Sequence, residues 1–329
     1  MKMIRMAAAA IVAGSVSLSP VGAEELRFLM PWDASSEGNT KVGDLLMQIV
    51  EEETDGKYTL TKFDNSVVPP FEQFEPVASG VFDIHYTNPA YHSGATVIGQ
   101  IVDTVTSDVA ARHDSGLWDM VDAEYQKLGV KVLALGASTG FQFLLGDPIG
   151  EDGGLEGRKI RSNPAYDGTI TALGGSPIQL PIPEVYTALQ KSLIDGTAYP
   201  VHGASSAKMY EVVDYMSRPT FGQGTVLVVM NLNKWNALAA EDQELLLQAG
   251  RRFEEEAYGL AEETAAEDEA LMQENGVEVT ELGGDYGPTI RQIYNEQTWD
   301  RALENGGDSA AELIDFIKSN DLVYDGPSE

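Results

Sequence analysis

The sequence predicts an α/β protein of two lobes, and three observations carry that reading. A strand, helix, strand, helix, strand order follows the first two dozen residues. The same order restarts at Gly157, and one acidic helical stretch over 240–274 is, at ~1.5 Å per residue, roughly 50 Å long, enough to reach across both units. The 329 residues suit this division, being too many for one ordinary core and about right for two domains of ~150 residues each. With 43% apolar and 22% charged residues the chain has material for large cores and is neither fibrous nor disordered in composition.

In chain order, residues 1–23 come first. They carry Lys2 and Arg5 and no acid, then an apolar run from Met6 to about Leu18, then small residues ending in Val21-Gly22-Ala23. This is the layout of a secretory signal peptide cleaved after Ala23, and its apolar run of ~13 residues is short of the ~20 that span a membrane. Loss of Lys2 and Arg5 moves the net charge from -31 to -33. No later stretch is long and apolar enough to cross a membrane, so the expectation is a free protein in the periplasm.

Residues 25–30 (ELRFLM) alternate polar and apolar as a strand does, and a loop through Pro31-Trp32 leads to a helix over 39–54. Its Val42, Leu45, Leu46, Ile49 and Val50 recur at helical spacing, and Asp55-Gly56 ends it. A strand over 58–63, a short helix through Phe74 and Val77 stopped by Gly80, and a strand over 81–86 complete the first unit. Strands over 131–135 and 141–145 are interrupted at Gly136 and Gly140. After Gly157 come a strand end at 159–161, a helix over 166–173, a strand over 177–180, a helix over 183–191 and a strand over 196–201. Residues 225–230 (TVLVVM) form one more apolar strand, placed where the chain can return to the first unit. On the long helix, Leu246, Ala249, Phe253, Ala257 and Leu260 share a face, and Gly250 and Gly259 are points where it can bend. Helices over 288–303 and 309–319 close the chain. The expected division is residues 24–139 plus about 227–265 in lobe I, 140–226 plus about 266–320 in lobe II, and a tail over 321–329 that frays from Asp325.

The charge excludes whole classes of function. With 52 acidic against 21 basic side chains, the surface field repels phosphate, so nucleic acids and anionic membranes are poor partners. The absence of Cys removes disulfides, thiolate metal sites, a cysteine nucleophile and the anchor of a lipoprotein. His85, His92, His113 and His202 show no metal-binding spacing, and the runs Glu51-Glu52-Glu53 and Glu254-Glu255-Glu256 read as solvated helix faces; no metal or cofactor is expected. Residues 136–140 (GASTG) match the nucleophile elbow G-x-S-x-G, with Asp195 and His202 following in the order an α/β-hydrolase uses. A secreted hydrolase built on Ser138 is therefore the enzymatic alternative. It is disfavoured because an elbow leads into a helix, whereas the next residues, FQFLL, read as a strand. Tyr86, Asn88 and Tyr91 gather just past the C-terminal end of an expected strand, where open α/β sheets place ligands.

The stretch over 155–203 resembles the core of the TRAP-transporter extracytoplasmic solute receptors, the DctP family. It supplies Pro148-Ile149, Leu155, Gly157, Lys159-Ile160-Arg161, Leu173-Gly174-Gly175, Pro177, Glu184-Val185-Tyr186, Ala188-Leu189-Gln190 and Asp195-Gly196. Weaker likeness extends through Thr54-Asp55-Gly56-Lys57, 77–83 and 238–247, so nearly the whole mature chain is covered. The resemblance implies a type II-like periplasmic binding protein with hinge strands and a long helix spanning both lobes. Such a receptor is not an enzyme and is expected as a monomer. It hands its ligand to the small and large membrane subunits of a TRAP permease, or in the alternative to a sensor or an ABC importer. In the family, the Arg matching Arg161 forms a bidentate pair with the ligand carboxylate, which Lys cannot copy.

Three positions depart from the family pattern. Gln142 stands where many members have a second anion-binding Arg, Tyr199 where they have Asn, and Ile182 where an aromatic residue supports the ligand. Trp32, Phe71, Tyr86 and Tyr91 fall on loops that the resemblance places near the pocket, and Asn88, at the strand end, is counted with Trp32, Phe71 and Tyr91 among the expected ligand contacts. One Arg neutralises one anionic group, so the expected ligand is a small carboxylate or sulfonate, a monoanion or zwitterion with an apolar or aromatic body.

Overall fold

The computed structural model describes residues 23–34, 36 and 38–326; the expected signal peptide, up to its last residue, lies outside them. The first lobe starts as β1 (Glu24–Leu29), α1 (Gly43–Glu53), β2 (Tyr58–Phe63), α2 (Phe74–Ala78) and β3 (Ile84–Thr87). α1 begins four residues later than its apolar spacing suggests because 38–42 make a wider π-type turn. Asp55 and Gly56, at φ 50° and 73°, turn the chain out of the helix, a conformation that glycine adopts without strain.

The segment between β3 and β4, which the sequence left without elements, folds as α3 (Ile98–Ile101), α4 (Val109–Asp114) and α5 (Leu117–Lys127), followed by β4 (Val130–Ala137). All four residues of α3 are buried, so it shows no amphipathic period to read.

The second lobe follows: β5 (Phe141–Leu145), β6 (Lys159–Ser162), α6 (Asp167–Ala172), β7 (Ser176–Gln179), α7 (Ile182–Gln190), β8 (Gly196–Pro200) and β9 (Tyr215–Arg218). The chain then returns as β10 (Thr225–Asn231) and α8 (Leu232–Asn236), runs through α9 (Ala240–Glu274) and β11 (Glu278–Glu281), and ends with α10 (Tyr286–Ser319).

Two sheets result. One has the order β2-β1-β3-β10-β4, the other β11-β9-β5-β8-β6-β7. β10 pairs antiparallel with both β3 and β4, returning to the first sheet as its apolar run predicts. The lobes are therefore crossed at β4 to β5, at β9 to β10, and by α9 and α10.

α9 is the long spanning helix. Its Leu246, Ala249, Phe253 and Ala257 enter the first core and Met272 the second. Gly250 does not break it; a Cβ there would lie 1.8 Å from the Leu133 carbonyl oxygen, so the glycine is what lets the helix lie against β4. Glu254 corrects the reading of its acid run as solvated. It faces β4, buried, and accepts hydrogen bonds from the Leu135 N–H (2.5 Å) and Trp118 Nε1 (3.3 Å), with His113 Nε2 at 2.7 Å from its other oxygen.

The two closing helices form one element kinked at Gly307 (φ 57°, ψ -143°). Ile290 and Tyr294 pack into the second core, while Ala302, Ala310, Leu313, Ile314 and Ile317 pack into the first. α10 thus crosses between lobes inside a stretch that the sequence division assigns to lobe II. Beyond it Leu322 is buried and Val323 bridges Val105, which ties the tail to lobe I.

Candidate ligand-binding site

The C-terminal ends of the parallel strands in both sheets meet at one cleft. β1 leads to Trp32 and β3 to Asn88 and Tyr91; β6 leads to Asn163 and β8 to His202. Two adjoining cavities, about 260 and 50 Å³, lie between the lobes and share Trp32, Tyr86, Ile182, Pro200 and His202. The larger adds Asp33, Ser36, Pro183, Tyr186 and Tyr199, and the smaller adds Asn88, Tyr91, Asn163 and Tyr166. Aromatic walls dominate. Trp32 meets Tyr86 edge-on at 5.3 Å, and Tyr166 meets Phe141 at 4.7 Å.

Arg161 lies on β6, fully buried and outside the lining of both cavities, two residues before the lining Asn163 and close to the lining Tyr91. Alternation along the strand sets its direction: Ile160 enters one core, so Arg161 faces the opposite side of the sheet, the side on which Tyr199 and α7 pack. Its Nε donates to the Leu180 carbonyl at 2.7 Å and its Nη1 to the Ala198 carbonyl at 3.0 Å, while Nη2 has no hydrogen-bond partner of good geometry. Among the described residues no carboxylate pairs with it, so the guanidinium is not the structural salt bridge that so acidic a chain could supply. The Tyr91 phenol comes from the other lobe and faces Arg161, Trp32 and the backbone N–H of Ile182. Burial pushes that phenol's pKa up, and the charge and hydrogen bond of Arg161 pull it back.

The remaining expected residues divide. Trp32, Asn88, Tyr91, Ile182 and Tyr199 line the cleft. Phe71 is 39% exposed and outside both cavities, its ring standing edge-on to Tyr91 at 5.1 Å. Gln142 is buried opposite Tyr199 in the β5–β8 ladder and also lies outside the cavity lining. Its Oε1 accepts from Arg218 Nη1 at 2.9 Å, and Arg218 Nη2 pairs with Glu269 at 2.6 Å. A second guanidinium therefore stands beside position 142 after all, delivered from β9 and balanced by a carboxylate from α9. Nothing in the order of residues announced that meeting, and Asn163, Tyr166 and His202 were likewise missed, although the rule about strand ends reaches all three.

The hydrolase constellation does not assemble. Ser138 sits in a strand-to-strand crossing with its N–H bonded to the Gly224 carbonyl at 2.7 Å. His202 Nδ1 meets Thr139 Oγ1 at 2.6 Å, and Asp195 accepts from the Lys159 N–H at 2.7 Å at the far end of β6.

Comparison with known proteins decides the class. The family described as bacterial extracellular solute-binding protein, family 7 (DctP), matches residues 32–300. The chain belongs to this family. Its members are solute receptors, not enzymes, and its two-lobed α/β fold is shared by solved relatives. A TRAP periplasmic solute-binding protein from Desulfovibrio salexigens, with bound orotic acid, superposes with a TM-score of 0.80 at 21% identity, covering 90% of this chain and 98% of that one. In sequence, the chain is 28% identical over 298 residues to the 2,3-diketo-L-gulonate-binding periplasmic protein YiaO of Escherichia coli, covering 85% of this chain and 88% of YiaO. It is 27% identical over 217 residues to the ectoine-binding periplasmic protein TeaA of Halomonas elongata, covering 64% and 63%. The DctP-family chain has no helix among its described residues long and apolar enough to cross a membrane.

Proposed function

We propose that this DctP-family receptor captures a small monoanionic or zwitterionic organic acid in the cleft by hinge closure and delivers it to a TRAP-type permease. The observation that carries the reading is Arg161. A buried guanidinium costs several kcal/mol in lost hydration, and with two carbonyls and the Tyr91 phenol around it, its Nη2 still has no hydrogen bond of good geometry; a carboxylate or sulfonate oxygen would meet both deficits. The pairing of Arg218 with Glu269 supports one anionic group rather than two, since the second cation nearby is already balanced. The aromatic walls favour a flat or apolar body. A 2,3-diketo-L-gulonate-binding relative and a solved neighbour with bound orotic acid are consistent with an organic acid. The lobes that go with this reading are 24–139 plus about 227–265, and 140–226 plus 266 to about 298, with the rest of α10 carried by lobe I. Export by a leader removed after Ala23 belongs to the same proposal.

A thermal-shift screen tests it. At ~100 times its dissociation constant a true solute adds about 2.7 kcal/mol to stability. Monocarboxylates, sulfonates and betaines are expected among the hits. Tight binding of succinate or malate with no response to those three classes would overturn the ligand class, and no response to any organic acid would overturn the function.

A further inference from the structure

A further cavity, about 300 Å³, lies where α10 passes between α3 and α6, and it shares no lining residue with the two cleft cavities. Both lobes and the crossing helix build it. Gln100 on α3 comes from the first lobe, Pro164 and Gly168 from the second, and Gln297, Arg301 and Glu304 stand along one face of α10. At Gly168 the two helices come so close that a Cβ would lie 2.8 Å from Gln297 Cβ, so a side chain there would push α6 off α10.

Two of its side chains have donors to spare. Arg301 is half-buried; its Nη1 donates to the Pro164 carbonyl, its Nη2 reaches the Ser93 hydroxyl only at 3.5 Å, and its Nε meets no acceptor among the described residues. No carboxylate among those residues stands within ion-pair distance of it, although the chain has 52 acidic against 21 basic side chains. The acid whose charge it feels, Asp167, gives one oxygen to Gln179 Nε2 at 2.6 Å. Gln100 is 3% exposed, and its Nε2 has no hydrogen-bond partner. A buried amide donor without an acceptor is a standing cost that a ligand oxygen removes.

We propose that this cavity is a second binding site, for a compact zwitterion of amino-acid size whose carboxylate meets Arg301 and Gln100 and whose ammonium turns to Asp300 and Glu304. A guanidinium and an amide N–H are donors suited to an anionic oxygen. Asp300 and Glu304 line the same cavity from exposed positions, so a dianion meets like charges there, and a plain cation meets Arg301. One charge of each sign answers both. The volume, about 300 Å³, equals about ten waters at ~30 Å³ each, which suits an amino acid and excludes a nucleotide. No aromatic ring lines the cavity, so a quaternary ammonium gains nothing over a primary one, in contrast to the cleft. This site is independent of the receptor reading above.

Arg161→Met disables the cleft anchor and isolates the second site. This variant, labelled with nitrogen-15, is titrated by nuclear magnetic resonance with glycine, L-alanine and L-threonine up to ~50 mM, and with succinate, putrescine and glycine betaine as controls. At least one of the three amino acids is expected to bind saturably, one per chain, and at least tenfold more tightly than each control. Adding Gln100→Leu, which breaks no hydrogen bond of Nε2, or Arg301→Met is expected to weaken that binding at least tenfold, and the Leu variant to keep its melting midpoint. No saturable response to any of the three amino acids would overturn the site, as would Leu and Met variants that bind within threefold of their background, or succinate bound as tightly as the best amino acid. None of those failures touches the cleft reading, which is judged on the response of the unaltered protein to organic acids.

Discussion

Replacing Arg161 by lysine keeps the charge and removes the geometry. The guanidinium reaches the Leu180 and Ala198 carbonyls with two nitrogens and keeps the third buried without a hydrogen bond of good geometry. One ammonium nitrogen on a flexible stem cannot serve all three places. Loss of one partner from a buried charge-assisted pair costs ~2–5 kcal/mol, which at about 1.4 kcal/mol per decade is roughly a 30-fold to several-thousand-fold loss of affinity. Folding suffers less. Each deserted carbonyl costs ~1–3 kcal/mol, partly offset because a smaller or uncharged side chain no longer has to be desolvated. Arg161→Met, of similar length and without charge, separates the two effects. Calorimetry with the tightest acid from the screen is expected to show both variants binding at least 30-fold more weakly, with far smaller shifts in unfolding midpoint without solute. A lysine variant that binds within threefold of the parent would refute the assignment of Arg161 as the anion anchor.

Three other outcomes follow from the same structure. Saturating solute should reduce the radius of gyration in small-angle scattering, and an unchanged curve with proven binding would count against hinge closure. Gly250→Val should destabilise by more than ~3 kcal/mol in urea unfolding, because its Cβ would enter the Leu133 carbonyl and push α9 off β4; a stable variant would mean the contact is slack. Burial pulls His92 from 6.5 down to about 3, so the stability it contributes is present above about 6.5 and lost as pH falls toward 3. His92→Gln should therefore flatten the acid side of the melting profile, and an equally steep acid arm in the variant would place that loss elsewhere.

How much of this was legible depended on period and on distance along the chain. β10 and α9 were readable because their apolar residues follow one clear pattern over many residues. β9 (YMSR) and β11 (EVTE) are short, and only pairing makes them strands, β11 parallel to β9 and β9 antiparallel to β5. Arg161 was found through a family resemblance, since nothing in composition separates a buried arginine from a surface one. The charge lost at Gln142 could not be seen to return through Arg218, because Glu269 balances it from 51 positions further on. Glu254 looked like a surface acid because its neighbours in sequence are acids, whereas its neighbours in space are Trp118, His113 and the backbone of β4.

The most direct test is a crystal structure with the tightest-binding acid from the screen. An anionic oxygen of that acid is expected within about 2.7–2.9 Å of Arg161 Nη2, its body against Trp32, Tyr86 and Tyr199, and the lobes closed over it. Density for the acid elsewhere, or in the cleft with its anionic group turned away from Arg161, would contradict that expectation.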